Sequence, residues 1–154
     1  MINHKQVEVF VDGLVRYFKH LDVNDGNETE SLEIGSPFIL DYSQKTGLDY
    51  TGFIAISGND RGNIFFSASS CLLKTILLNY GVSELTASKH KDVVGEVANT
   101  IAGNARKQLG SKFLISPPTV IKGSLGSNHY DTRRRSYVVP LRWKSKGAQL
   151  IVNL

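Results

Sequence analysis

Residues 92–109 read DVVGEVANTIAGNARKQL, and this stretch decides the fold because it carries two helical faces at once. At about 100° per residue, Val94, Val97, Ala98, Ile101, Ala105 and Leu109 fall on one apolar stripe, while Asp92, Glu96, Asn99, Gly103 and Arg106 fall on the opposite side. A helix divided in this way buries one side against a layer of other structure and leaves the other to solvent or to a partner. Gly103 is costly on that polar side, since a glycine inside a helix loses roughly 1 kcal/mol relative to alanine. Its bare patch lets another backbone approach closely.

Working outward from this helix, Gly110 is a stop signal after it, and residues 82–91 before it form a connector in which Thr86 and Ser88 are candidate caps. Residues 69–81, SSCLLKTILLNYG, read as a second helix opened by Ser69 or Ser70 and closed by Gly81. Ahead of it, residues 48–57 and 63–68 are rich in aromatic and β-branched side chains and are joined by the turn GNDRG, which predicts a hairpin. Residues 31–44 predict one strand, bent or bulged around Gly35 and Pro37. The chain starts on an amphipathic helix over about residues 4–20, followed by a polar loop over residues 21–30. After the central helix, ISPPTVIKG at residues 115–123 is a loop entering a strand. Residues 133–147 and 148–154 read as two last strands, and Pro140 predicts that the first of these is an edge or carries a bulge. The order is α-β-β-β-α-α-β-β-β. Consecutive strands without alternating helices imply an α+β fold, a mostly antiparallel sheet with long helices packed on it.

The spacing Asp92, Glu96, Asn99 within GEVANTIAGNA, followed by ISPPTVIKG, resembles the signature of the CheC/CheX/FliY group of bacterial chemotaxis phosphatases, and most of all its single-site member, CheX. The resemblance in element order spans most of the chain, and residues 92–123 carry its specific part. It implies that Glu96 and Asn99 are the catalytic acid and amide, with Asp92 at the leading position of the signature. The family's proline maps to Pro118, although it follows Asn99 after a gap of 18 residues, shorter than the family pattern. What the resemblance further implies is a phosphatase acting on the aspartyl phosphate of a CheY-like response regulator. Asn99 would orient the attacking water, Glu96 would pair with the regulator's active-site lysine, and Gly103 and Arg106 would complete the partner-facing surface. Any Mg2+ would belong to the regulator, the chain having no cofactor of its own. A homodimer formed through strand pairing is also implied. CheC-like members resemble two copies of the motif, and this chain shows one.

The residues themselves are compatible with that chemistry. A carboxamide has no useful pKa near neutrality, so Asn99 cannot be a conventional general base, yet it can accept from and donate to a water at once. Phosphoryl transfer asks mostly for an in-line nucleophile and charge compensation, which suits an orienting amide. A carboxylate set against a phosphoryl group would be repelled, so the natural role for Glu96 is to pair with a cation beside it. Read without the resemblance, the same positions make an ordinary solvated helix face. A non-catalytic module that docks a response regulator or another signalling protein is therefore the alternative reading.

Composition bounds the rest. The chain has 154 residues, 41% hydrophobic and 21% charged, enough for one core, and residues 1–154 are expected to form one domain. No run approaches a membrane span and residues 1–10 lack the features of a signal peptide, so a cytoplasmic protein is expected. The net charge of +4 rests largely on Arg133, Arg134, Arg135, Arg142, Lys144 and Lys146. No groove-reading motif or stacking platform accompanies these charges, which argues against nucleic acid. They read instead as a basic turn protecting a sheet edge, or as attraction to an acidic protein surface. The four histidines and Cys71 have no metal-ligand spacing, and Cys71, set among apolar residues, is expected in the core. Trp143 is expected to pack on a strand.

Overall fold

The computed structural model describes residues 4–26 and 31–154; the stretch 27–30 of the expected first loop lies outside them. The elements are α1 (His4–Asn24), β1 (Leu32–Ile34), β2 (Phe38–Ile39), β3 (Tyr50–Gly58), β4 (Gly62–Ala68), α2 (Ser70–Asn79), α3 (Ala87–Leu109), β5 (Phe113–Ile115), β6 (Thr119–Lys122), β7 (Ser136–Trp143) and β8 (Lys146–Asn153). They form an α+β fold whose order is the expected one, with the first strand and the strand after α3 each broken in two. The first helix runs past the expected loop start, to Asn24, because Leu21 and Asp22 are buried. Trp143 Nε1 donates to Asp22 Oδ1 at 3.0 Å, both groups lying inside, so the end of α1 is pinned to the sheet by a hydrogen bond as well as by apolar contact. Thr86 caps α3 through its hydroxyl, accepting from Lys89 N at 3.2 Å, and the helix starts ahead of Asp92 for that reason.

All eight strands form one antiparallel sheet in the order β1-β7-β8-β4-β3-β5, with β2 continuing β1 along β7 and β6 continuing β5 along β3. Alternation sends Ile64, Phe66, Val139, Leu141, Leu150 and Val152 to the face that the three helices cover. Phe65, Val138 and Ile151 point the other way, where Leu40, Leu125 and Tyr130 from loops close a smaller core. Within the helical layer α3 is central, touching α1, α2 and strands β3 to β6. Close approach is made possible by glycine: a Cβ at Gly52 on β3 would stand 2.6 Å from the Val94 carbonyl oxygen, and one at Gly13 on α1 would stand 2.8 Å from that of Ile101.

Pro140 is not on an edge, contrary to the sequence expectation, and β7 carries no bulge. Its register with β8 on one side is unbroken, and on the other side it pairs first with β2 and then with β1. Between Ile34↔Leu141 and Phe38↔Val138, the three residues 35–37 lie opposite two, Val139 and Pro140, so the bulge sits in the neighbouring strand. Gly35 N donates to the Pro140 carbonyl at 2.8 Å there, and the break in β1/β2 faces the donor that proline lacks. The same device recurs at the far edge. Residues 116–118, with Pro117 and Pro118, lie opposite Ile54 and Ala55, and the Ser116 hydroxyl accepts from Ala55 N at 2.9 Å. The true edges are thus β1/β2 and β5/β6, so the basic segment 133–146 does not blunt an edge. Arg133 and Arg134 turn onto Asp131 in the loop before β7, and the hydrogen bond from Arg133 holds the Asp131 carboxyl below its ordinary value. Cys71 is exposed on the outer side of α2, a second correction; its sequence neighbours are apolar, but Leu72, Leu73 and Ile76 take the buried stripe.

Candidate active face of helix α3

The periodicity of α3 decides which of its side chains are free. Val93, Val94, Val97, Ala98, Ile101, Ala102 and Ala105 are buried, whereas Asp92, Glu96, Asn99 and Arg106 are exposed and Gly103 is half-buried. Steps of four and three residues set Asp92, Glu96, Asn99 and Gly103 one above another, neighbouring Cβ atoms being roughly 5–6 Å apart. Among the described residues, no side-chain hydrogen bond or ion pair engages Asp92, Glu96 or Asn99; the only bond at this level is Thr100 Oγ1 to the Glu96 carbonyl at 2.9 Å, which is internal to the helix. The carboxylate and the carboxamide are therefore both open to an incoming molecule.

Pro118 stands beside this line. A Cβ on Gly95 would lie 3.6 Å from Pro118 Cβ and 3.3 Å from Val120 Cγ2, so the edge strand closes on α3 one turn before Asn99. Pro118 is exposed at the rim thus formed. Gly103 meets nothing within 4 Å of an added Cβ; it is open toward solvent, and the close approaches inside the fold are made by Gly13, Gly52 and Gly95 instead. Arg106 lies at the far end and is partly committed, its Nε donating to the Phe113 carbonyl at 2.9 Å. Between α3 and β5 runs an open groove of about 620 Å³ whose lining includes Asn99, Thr100, Gly103, Arg106 and Ile115.

A convex helix line with a shallow groove beside it is poorly shaped to enclose a small substrate but well shaped to enter a cavity in another macromolecule. No group of three or more His, Cys, Asp or Glu residues capable of holding a metal occurs among the described residues. No helix among them is long and apolar enough to cross a membrane.

Residues 50–142 match the family described as chemotaxis phosphatase CheX. The chain belongs to the CheX family. No significant match was found among curated protein sequences. Solved structures share the CheX-type fold over nearly the whole chain. A chemotactic CheC-like protein from Shewanella oneidensis MR-1 is 22% identical with a TM-score of 0.79, covering 99% of each chain. The chemotaxis protein CheX from Vibrio vulnificus is 21% identical with a TM-score of 0.75 over 96% of this chain and 97% of its own. A CheX from Borrelia burgdorferi, solved as a CheX–CheY–BeF3–Mg2+ complex, is 22% identical with a TM-score of 0.67 over 96% of each chain.

Two residues at this face escaped the sequence reading. Tyr17 of α1 and Tyr80, just beyond α2, join their hydroxyls at 3.0 Å. Burial pushes the Tyr17 hydroxyl well above its ordinary pKa, the bond to Tyr80 adds to this, and the Glu96 charge is close enough to push the same way. They are 63 residues apart in the chain, and the packing of α1 against the end of α2 brings them together.

Proposed function

We propose that this CheX-family chain is a phosphatase for the aspartyl phosphate of a CheY-like response regulator, with Asn99 and Glu96 as the working residues. The observation that carries the reading is the exposed, unpartnered Glu96–Asn99 pair on the outer line of α3. In this mechanism α3 enters the regulator's active site. The Asn99 carboxamide holds a water with its oxygen and presents it in line with the phosphorus; the water oxygen bonds to phosphorus as the bond to the aspartyl oxygen breaks, releasing inorganic phosphate and the carboxylate. Glu96 pairs with the regulator's lysine and so fixes the angle of entry. Charge on the phosphoryl oxygens is compensated by the regulator's own Mg2+, and the CheX–CheY complex from Borrelia burgdorferi, which contains BeF3 and Mg2+, supports that division of labour. Asp92 and Pro118 extend the contact on either side of the pair, with Gly103 and Arg106 below it. The site acts in the cytoplasm, and two copies of the chain form a homodimer.

Decay of radiolabelled phosphate from a purified panel of CheY-like regulators, with and without this protein, is the test. Acceleration on at least one regulator is expected. No acceleration across the panel would leave a docking module in place of an enzyme.

A further inference from the structure

The tyrosine pair has a geometry of its own. Helices α1 and α3 pack antiparallel: Gly13 lies against Ile101, Asn104 Nδ2 donates to the Gly13 carbonyl at 3.3 Å, and the Phe10 ring lies 6.0 Å from that of Phe113, beyond the end of α3. One turn along α1 in the other direction, Tyr17 falls beside the turn of α3 that bears Glu96. Tyr17 is buried, and its hydroxyl fixes that of Tyr80, which is 47% exposed. The two hydroxyls spend one proton on each other and keep lone pairs to spare, and no hydrogen bond links either to Glu96 among the described residues.

We propose that Tyr80, held in place by Tyr17, completes with Glu96 a seat for the ammonium group of a partner lysine. An ammonium carries three donors, more than one exposed carboxylate readily satisfies, and the Tyr80 hydroxyl oxygen and ring face supply the remaining acceptors. The inference rests on the reading in which Glu96 meets a lysine. Tyr17 is a positioning residue in this seat, and Tyr80 touches the partner.

Calorimetric titration with a CheY-like regulator loaded with BeF3 and Mg2+ tests it. Tyr80→Ala should weaken binding on the order of ten-fold, as truncation of a buried interface tyrosine does, with Tyr80→Phe intermediate. Because the two groups share one ammonium, Glu96→Gln and Tyr80→Ala combined should cost less than the sum of the separate losses. A regulator whose active-site lysine is replaced by methionine should bind the parent chain and Tyr80→Ala about equally, within roughly two-fold. Melting curves accompany each variant, and Tyr17→Phe serves as a second probe that keeps the ring. Parent-like binding by Tyr80→Ala, an undiminished Tyr80 effect on the lysine-free regulator, or no binding by the parent chain overturns the seat. Tyr80-dependent binding without accelerated phosphate loss would instead sink the phosphatase reading and leave the seat standing.

Discussion

Asn99 has one chemical asset, an amide that can hold a water in a fixed direction, and no side-chain hydrogen bond from the described residues competes for it. Asn99→Ala should therefore fold normally, since the side chain is exposed, and lose ~10²-fold or more of the acceleration of phosphate loss. Near-normal single-turnover decay by that variant would show that the water is oriented by something else. Glu96 acts through charge, so Glu96→Ala should weaken productive docking and Glu96→Lys should be worse, since it sets like charges together. Equal phosphatase rates for the two variants would argue against a lysine opposite Glu96. At this scale the sequence was informative where a residue's neighbours lie along its own helix. It failed where they do not: Cys71 took its context from apolar residues beside it in the chain, although the helix turns them inward and the thiol outward.

Around α3 the glycines divide by what faces them. Gly52 on β3 and Gly103 on α3 are both glycines near the same helix, but an added Cβ meets the Val94 carbonyl at 2.6 Å in the first case and nothing within 4 Å in the second. Gly52→Ala must push α3 off the sheet and should cost roughly 2 kcal/mol, a fall in melting temperature of about 4–8 °C. Gly103→Ala should raise stability by up to about 1 kcal/mol through helix propensity, while weakening regulator binding if a partner backbone passes there. A calorimetric melt of both variants with a binding titration of the second decides the matter; tighter or unchanged binding by Gly103→Ala would remove that glycine from the docking surface. Element order was legible from period and punctuation, and α3 most clearly, because its stripe is long. The setting of Pro140 was not, since an interior strand tolerates proline only when its neighbour is interrupted opposite it, and that depends on residues 35–37 from the other end of the chain.

For the whole molecule, the question is what becomes of the two open sheet edges. Each is interrupted by a proline-bearing bulge, which limits how far another strand can run along it. The β1/β2 edge nevertheless exposes Ile34, Phe38 and Ile39, three of the seven most exposed large hydrophobic side chains among the described residues. Light scattering at micromolar concentration should give about twice the 17.0 kDa chain mass. Phe38→Asp should bring this down to a monomer with an unchanged melting profile at low concentration; a monomeric parent would refute the dimer without touching the α3 face, which is contained in one chain. The buried Trp143–Asp22 bond has a practical corollary. The chain has a single tryptophan, and it reports on the seating of α1 against the sheet, on the side of the molecule's interior away from solvent. Its emission should shift to longer wavelength when α1 detaches during unfolding, and should stay silent when a partner docks on the outer line of α3. Any tryptophan signal on mixing with a regulator would then be the regulator's own, which makes one intrinsic fluorophore an internal control in every docking titration.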